Sequence, residues 1–440
     1  MDAASAKALT AIVTTDLVAV TRGRPVPADD LEKAKVAGVG WTPANVCLTA
    51  FNTIADPNPW GTSGDLRLLP DLKARYRTDR TGSGTPFDIV MGNIVELDGA
   101  PWDGCARVRL AEALDALKRA TGLALVATFE QEFQLASDRA PAHAFSYEAF
   151  RQADPFAPMV YSALEDAGIE PEMVLAEYGA HQFEVTHAPT DALSAADRAV
   201  AIREIIREVA RNLGTRASFT PKADPNGVGN GVHIHFSFVG PAGETATYDP
   251  AGPGGLSAVA GAFVAGVLRH LPAITALTAP SVPSYLRLKP HMWSSSYTWL
   301  GERDREASVR ICPTVTLGGR DPAKQYNLEF RAADATANPY VALAAIVRAG
   351  LAGIRDGLPT PPIVTGDPSV MSDAERAEKG LVRLPQSLGE ALDTFLADAE
   401  ARSWFPQRFV DSFVAVKRAE IAATADMTPE ALCATFKALY

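Results

Sequence analysis

The sequence predicts a protein of the α+β or mixed α/β class, and three observations indicate it. Runs in which apolar and polar residues alternate, as in strands with one buried face, are interspersed with runs of helical periodicity. The chain has 440 residues, enough for two or three domains with large cores. Hydrophobic residues make up 47% and charged residues 21%, which excludes wholesale disorder, collagen-like repeats and a coiled coil.

The first hundred residues consist of short strand-like runs and turns. The stretch 56–64, DPNPWGTSG, is rich in proline and glycine and predicts a loop. The composition changes near Trp102, which indicates a domain boundary. We therefore expect a small N-terminal domain over residues 1–105 and a larger domain over 106–440.

Helical periodicity begins directly after this boundary, where Leu110, Leu114 and Leu117 share one face. A strongly apolar strand follows over Leu123–Phe129. The last sixty residues are predicted to be helical. Helices and strands thus alternate loosely along the second domain, as the mixed class requires.

Two further helices have individual signatures. Ser194 and Asp197 form a capping-box pattern ahead of a run with isoleucine and valine at helical spacing, 202–209. The apolar run 258–268 is much shorter than the roughly 20 residues of a membrane span, so it predicts a buried helix.

The net charge and the cysteine content limit the classes of binding partner and the cellular compartment to be expected. A net charge of −11 makes nucleic acid an unfavourable main partner. The four cysteines lie far apart without a C-x-x-C pair, which favours reduced thiols over disulfides or a structural zinc. The N-terminus lacks a basic start followed by an apolar stretch. We expect a cytoplasmic protein without a membrane partner.

Four strand-like segments carry polar residues on one face and apolar residues on the other. They are FEQEF at 129–133, QFEVT at 182–186, HIHFSF at 233–238 and NLEFR at 327–331. A solvated sheet face explains any one of them, but their polar faces hold Glu and His with little Lys. Buried carboxylates must be neutralised, and carboxylates with an occasional imidazole suit Mg²⁺ or Mn²⁺. The pattern predicts a carboxylate-lined metal site on a curved sheet.

Five arginines cluster near the last of these segments, at Arg287, Arg303, Arg305, Arg310 and Arg331. A single arginine is more often a solvated surface residue. Beside a carboxylate cluster, however, several guanidinium groups indicate binding of carboxylate or phosphate. Gly227, Gly229 and Gly231 precede His233 and allow a close backbone approach to a ligand. Neither a P-loop nor a dinucleotide-binding fingerprint is present in the sequence.

Six ordered blocks resemble the glutamine synthetase superfamily, from about Arg107 to the C-terminus. The blocks are FEQEF, EYGAHQFE, FTPKADPNGVGNGVHIHFS, PSYLRLKP, ERDREASVRICP and LEFRAADATANPY. The block GDLRLLPD extends the resemblance weakly into the N-terminal region. The resemblance implies a β-grasp-like N-terminal domain and a catalytic domain with a curved antiparallel sheet backed by helices. It also implies a homo-oligomer of stacked rings, expected to be a dodecamer with sites shared between subunits.

The resemblance implies a role for each matching position. The first metal is assigned Glu132, Glu177 and Glu184, and the second Glu130, His233 and Glu329. The nucleotide is assigned His235, Ser237, Arg310 and Lys324. The amino-acid substrate is assigned Arg287, Arg331 and Gly229. Arg305 resembles the catalytic arginine that meets the transferred phosphoryl group.

Position 293 departs from the family pattern. True glutamine synthetases carry a glutamate there, which takes a proton from ammonium, whereas this chain has Trp293. An indole does not accept that proton, but it offers an apolar and cation–π surface to an organic amine. The alternative is that Trp293 only fills space. The ammonium-binding aspartate also lacks a clear counterpart, although Asp56 lies in the corresponding loop, and Asn327 replaces an arginine.

The resemblance, together with these departures from the family pattern, implies an ATP-dependent ligase that joins the γ-carboxylate of glutamate to an organic amine through γ-glutamyl phosphate. ATP is the co-substrate, with two or more Mg²⁺ or Mn²⁺ ions per site. The neutral, aromatic surroundings of Trp293 favour a monoamine. Two alternatives remain open: a non-ligase relative (an isomerase or an inactive structural or regulatory homologue) and an ordinary glutamine synthetase.

Overall fold

The computed structural model describes residues 6–440 and confirms the mixed class of fold. Within these residues, fifteen strands form three sheets and thirteen α-helices pack around them. A sheet of five strands belongs to the N-terminal region, and the other two sheets form the larger part of the molecule.

The N-terminal sheet is mixed. Its strands are β1 (Leu9–Thr15), β2 (Thr21–Pro27), β3 (Val39–Trp41), β4 (Leu66–Thr78) and β5 (Phe87–Val95). Their order is β2-β1-β5-β4-β3, in which β1 and β5 pair in parallel and the other pairs are antiparallel. Helix α1 (Leu31–Ala37) packs on β4 and contributes the buried Leu31 and Ala34. This arrangement agrees with the β-grasp-like domain that the resemblance implies.

The remaining strands form two sheets. They are β6 (Ala124–Phe129), β7 (Gln131–Leu135), β8 (Pro171–Ala176), β9 (Gln182–His187), β10 (Thr190–Asp191), β11 (Ala217–Ser218), β12 (Ile234–Val239), β13 (Leu300–Glu302), β14 (Val309–Ile311) and β15 (Leu328–Phe330). Six strands follow the order β10-β6-β12-β15-β14-β13, and four the order β11-β7-β9-β8. All pairs are antiparallel except β13 with β14. The predicted curved surface is therefore built from two sheets, and the chain passes between them at Glu130.

Helices back the sheets and complete the core. They are α2 (Ala106–Thr121), α3 (Tyr147–Gln152), α4 (Phe156–Asp166), α5 (Ala192–Asn212), α6 (Ala258–Thr278), α7 (Ser284–Arg287), α8 (Pro339–Arg355), α9 (Asp373–Glu378), α10 (Leu388–Ala397), α11 (Ala399–Ser403), α12 (Gln407–Ala423) and α13 (Pro429–Leu439). Helices α6 and α8 approach each other through glycines. A Cβ on Gly266 would lie 2.2 Å from the carbonyl oxygen of Ala349, so a larger residue would separate the two helices.

Helix α6 contains the apolar run that predicts a buried helix. Within residues 6–440, it is the one helix long and apolar enough to cross a membrane by length and composition, and 67% of that window is buried in the protein. Ser257 caps its N-terminus by accepting a hydrogen bond from the amide of Ala260.

The predicted capping box of α5 is wrong. Asp191 is the N-cap residue, and its side chain accepts a hydrogen bond from the amide of Ser194 at 3.0 Å. Asp197 lies one turn further along and is buried, so its carboxylate faces the core instead of the helix end. The sequence pattern was misleading because Asp191 and Asp197 both lie three residues from Ser194. The sequence alone does not show which of the two carboxylates lies at the helix end.

Asp197 instead belongs to a buried network centred on Arg107. The guanidinium donates from Nε and Nη2 to the two oxygens of Asp197, at 2.8 Å each. It also donates to Asp71 at 2.8 Å and to Asn93 at 3.1 Å, both on the N-terminal sheet. The hydroxyl of Tyr340 on α8 donates to Asp197 at 2.7 Å. This Arg107 network joins β4 and β5 to α2, α5 and α8.

Candidate active site

Two clefts meet where the two catalytic sheets join, and together they contain every site residue that the sequence predicts. The arginine cleft, about 550 Å³, is lined by all six predicted metal ligands and by Gly229, Arg287, Trp293, Arg305, Arg310 and Arg331. The Lys324 cleft, about 540 Å³, is lined by His235, Ser237 and Lys324. Glu130 and Glu184 line both clefts, so the carboxylates lie at the junction.

Strand register brings the acidic residues together. Glu132 of β7 pairs directly with Glu184 of β9, and His235 of β12 pairs with Glu329 of β15. Like charges directly opposite each other on neighbouring strands are destabilising. Such a pairing therefore requires a compensating positive charge nearby.

His233 lies at the centre of this cluster. Its Nδ1 is 3.1 Å from Glu130 Oε2, 3.4 Å from Glu329 Oε1 and 3.8 Å from Glu132 Oε1. In the described chain, Glu130, His233 and Glu329 form one group whose ligand atoms lie within 4.8 Å of one another. Glu132, Glu184 and His233 form a second such group. The first equals the set predicted for the second metal, and the second has His233 where the prediction has Glu177.

The protonation of these carboxylates reflects their crowding. Burial, together with the negative charges of Glu130 and Glu132, raises the pKa of Glu184 to about 10. Burial and Glu132 also raise the pKa of Glu177. For Glu130, burial alone would raise the pKa, but hydrogen bonds from His233 and His235 hold it well below its usual value. Carboxylate oxygens with one imidazole are a suitable donor set for two hard divalent cations, which would relieve this repulsion.

Glu329 is buried between two arginines. It accepts a hydrogen bond from Arg310 Nη1 at 2.8 Å and another from Arg331 Nη1. Burial alone would raise its pKa, but the charges of Arg331 and His233 lower it instead. Among the described residues, Arg310 Nε is a buried nitrogen without a hydrogen-bond partner, whereas His235 Nε2 lies 3.0 Å from Glu130 Oε1.

Sequence reasoning missed Cys312 at this end of the site. Its sulfur lies 3.6 Å from His235 Nδ1 and 3.8 Å from Glu329 Oε2. Asn327, which replaces the expected arginine, holds His235 Nδ1 at 2.8 Å through its side-chain oxygen. The only sequence signal for Cys312 was its place in the block ERDREASVRICP.

Arg287 is packed beneath the glycine-rich loop. Its Nη1 donates to the carbonyl oxygen of Ala333 at 3.0 Å, and Nη2 lies 3.4 Å from His233 Nε2. A Cβ on Gly229 would lie 2.7 Å from Arg287 Cγ and 2.8 Å from the backbone oxygen of Pro221. Gly229 is therefore required to let the loop close over the guanidinium.

Arg331 connects the two loops that flank the arginine cleft. Its Nε donates to the carbonyl oxygen of Arg305 at 3.0 Å, and its Nη2 donates to that of Trp293 at 3.1 Å. The side chain of Arg305 itself is exposed at the cleft. The buried guanidinium of Arg331 thus fixes the backbone that carries Arg305 and Trp293, while Arg305 remains able to contact a ligand.

The Trp293 loop, residues 288–299 between α7 and β13, contains two residues in the left-handed region. These are His291, with φ 63°, and Trp293, with φ 52°. Glu306 accepts hydrogen bonds from both of their amides, at 3.1 and 2.6 Å. Sequence reasoning missed Glu306, because its partners are backbone atoms of another loop and leave no pattern in the sequence.

Three aromatic side chains form the outer wall of the arginine cleft. The ring centroids of Tyr178 and Trp293 are 5.2 Å apart, and those of Phe145 and Tyr178 are 6.2 Å apart. We call these three residues the aromatic wall. Tyr178 lies in the block EYGAHQFE, but Phe145 comes from a loop outside all six blocks and had no sequence signal.

Family comparison covers almost the whole chain. The glutamine synthetase N-terminal domain matches residues 3–102, and the glutamine synthetase catalytic domain matches residues 103–432. The predicted roles of the individual site residues remain predictions.

Similar proteins include ligases with different named amine substrates. The γ-glutamylpolyamine synthetase GlnA3 of Streptomyces coelicolor is 35% identical over 438 residues, covering 97% of this chain and 92% of that protein. A glutamine synthetase of Methanocaldococcus jannaschii is 31% identical, covering 81% and 79%. A crystal structure of a novel glutamine synthase homologue has a TM-score of 0.92 at 44% identity, covering 99% of both chains. An ADP complex of GmaS has a TM-score of 0.80 at 27% identity, covering 96% and 94%.

Proposed function

The chain belongs to the glutamine synthetase family, and from that premise we propose that it is a glutamate–amine ligase that prefers an organic amine to ammonia. The observation that carries this proposal is Trp293 at the mouth of the arginine cleft. An indole there leaves an ammonium ion without the carboxylate that true glutamine synthetases provide. The likeness to a γ-glutamylpolyamine synthetase over 97% of the chain supports the same choice.

The proposed reaction has two chemical steps. A carboxylate does not react with an amine, because its leaving group is poor and its charge repels nucleophiles. The γ-carboxylate oxygen of glutamate first attacks the γ-phosphorus of ATP, and the bond between that phosphorus and ADP breaks. The amine nitrogen then attacks the acyl carbon, the C–O bond to phosphate breaks, and the nitrogen loses a proton. The products are a γ-glutamylamide, ADP and phosphate.

The residues that line the two clefts suit the binding of glutamate in one cleft and of ATP in the other. Arg287, supported by the close approach of Gly229, would bind the α-carboxylate of glutamate, together with Arg331. Arg305 is exposed, so its side chain would be free to contact the phosphoryl group during its transfer. The Lys324 cleft would hold the nucleotide and is lined by His235, Ser237 and Lys324. Arg310 lines the adjoining arginine cleft.

The carboxylate cluster would hold Mg²⁺ or Mn²⁺ at the junction of the clefts. Glu130, His233 and Glu329 would hold one ion, and Glu132 and Glu184 with Glu177 the other; Glu130 and Glu184 also line the Lys324 cleft. The bound cations would neutralise the negative charge of the phosphates. The protein is further proposed to be a cytoplasmic homo-oligomer, in keeping with its family.

The test is ADP release from MgATP and glutamate with a panel of amines. We expect turnover with at least one of methylamine, isopropylamine, ethanolamine, putrescine or aniline to exceed that with ammonium by more than tenfold. Omitting glutamate is the control for uncoupled ATP hydrolysis. Equal or greater turnover with ammonium alone would identify an ordinary glutamine synthetase. No glutamate-dependent ADP release with any amine would refute a ligase and favour a non-ligase relative.

A further inference from the structure

The aromatic wall exposes large apolar surfaces that a folded protein usually buries. Phe145 is 55% exposed, Tyr178 52% and Trp293 51%, and the neighbouring Met173 is 52% exposed. All four line the arginine cleft. Contiguous exposed apolar side chains beside a cleft usually mark a ligand-binding surface.

The backbone supports the same interpretation. Phe145, with φ 58°, and Trp293, with φ 52°, are both in the left-handed region, which is rare for bulky side chains. Two of the three rings are thus held on strained backbone and directed towards one cleft. Strain of this kind persists where the surrounding structure holds it in place, and it is common at ligand-binding sites.

The three rings contact one another at steep angles. Tyr178 and Trp293 meet at 65°, and Phe145 and Tyr178 at 57°, so that neither pair is stacked. A hydrocarbon or aromatic group bound in the arginine cleft would pack against this aromatic surface. The adjacent apolar lining of Leu175, Val228 and Met292 extends this surface.

The charges near the wall disfavour a second ammonium group. In the described part of this chain, the carboxylates that line the arginine cleft are Glu130, Glu132, Glu177, Glu184 and Glu329, all predicted metal ligands. Glu306 is the carboxylate next to Trp293, and both of its oxygens accept backbone hydrogen bonds. A distal ammonium at the wall would therefore lose its hydration with no carboxylate on offer other than the predicted metal ligands and the hydrogen-bonded Glu306.

We propose that the aromatic wall binds the non-reacting part of the amine and selects monoamines with an alkyl or aryl group over diamines and polyamines. This inference rests on the ligase function proposed above. It names Tyr178 and Phe145, with Trp293, as the residues that determine the amine. The chain would then differ in substrate from its polyamine-named relative in Streptomyces coelicolor.

Pentylamine and cadaverine provide the direct test, because they share a five-carbon chain and differ by one terminal ammonium. Burial of each methylene is worth about fourfold in affinity, so pentylamine should exceed methylamine in kcat/KM by about 50-fold or more. Pentylamine and benzylamine should also exceed cadaverine and putrescine by at least about tenfold. A kcat/KM for cadaverine equal to or above that for pentylamine overturns the inference while the ligase function stands.

Substitutions distinguish a role of the aromatic wall in amine binding from a general loss of activity. Tyr178→Ala should lower kcat/KM for pentylamine by about tenfold with little effect on the KM of ATP, and Tyr178→Phe should restore it. Tyr147→Ala is the matched control, because Tyr147 is 77% exposed and lies two residues from Phe145 but outside the cleft. An unchanged amine profile in both Tyr178→Ala and Phe145→Ala overturns the inference. Absence of ADP release with every amine overturns the ligase function and this inference together.

Discussion

Replacement of Glu306 by alanine should loosen the Trp293 loop without unfolding the protein. The carboxylate accepts hydrogen bonds from the amides of His291 and Trp293, at 3.1 and 2.6 Å. Both residues have positive φ, and each left-handed non-glycine residue costs about 1–2 kcal/mol. The loop therefore stores about 2–4 kcal/mol of backbone strain, part of which the hydrogen bonds to Glu306 offset.

The magnitude follows from the two lost hydrogen bonds. A hydrogen bond contributes about 0.5–1.5 kcal/mol net, so the pair contributes about 1–3 kcal/mol to the observed loop conformation. Since 1.4 kcal/mol is a factor of ten, the equilibrium constant between that conformation and its alternatives should fall by about 5- to 150-fold. Water replaces the carboxylate at these exposed amides, so the Tm of the whole protein should change little.

Steady-state kinetics with pentylamine measure the effect. Glu306→Ala should raise the KM for the amine by about tenfold and leave the KM for ATP within about twofold, because the Lys324 cleft lies beyond the carboxylate cluster. Adding His291→Gly to this variant removes the strain of one residue and should recover part of the loss. Glu302→Ala, an exposed glutamate at the end of β13, is the control. An amine KM equal in the parent and Glu306→Ala proteins would show that Glu306 does not anchor the loop.

Three further predictions concern stability. Asp197→Asn should destabilise the fold by about 3–5 kcal/mol, because Arg107 stays buried without its main partner, whereas Tyr340→Phe should cost only about 1.5–3 kcal/mol. Urea unfolding of both variants tests this order, and equal losses would contradict it. Burial lowers the pKa of His187 to about 4, so stability should fall as the pH drops from 6.5 towards 4, and the fall should be shallower in His187→Asn. Mn²⁺ at 100 times its Kd should stabilise the protein by about 2.7 kcal/mol, seen as a higher Tm that EDTA reverses, and Glu184→Gln should reduce that gain.

The strands of the site were predictable because strand periodicity leaves a direct record in the sequence. FEQEF, QFEVT and HIHFSF alternate with a period of two; QFEVT lies in β9, HIHFSF mostly in β12, and FEQEF spans the end of β6 and the start of β7. The division into two sheets was not predictable, because the alternation runs through Glu130 without interruption while the hydrogen bonding changes partner there.

Contacts between distant loops were beyond sequence reasoning. Asp197 lies 90 residues from Arg107, and nothing local separates a helix cap from the acidic partner of a buried arginine. Phe145 and Glu306 reach the aromatic wall and the Trp293 loop from other loops, whose paths depend on the packing of elements elsewhere in the chain. The comparison with the family pattern pointed to the charged groups of the site and to Trp293, but not to the partners of Trp293 in the aromatic wall, Tyr178 and Phe145.

Glu130 and Glu184 line both clefts, so one cleft lies on each side of these carboxylates. In the proposed reaction, ADP would leave beside Lys324 and the amide beside Trp293, so neither product obstructs the other. Product release then needs no fixed order, and ADP should compete with ATP but not with the amine. A bulky amide would slow only its own release. The slower of the two product-release steps would then set the rate of turnover.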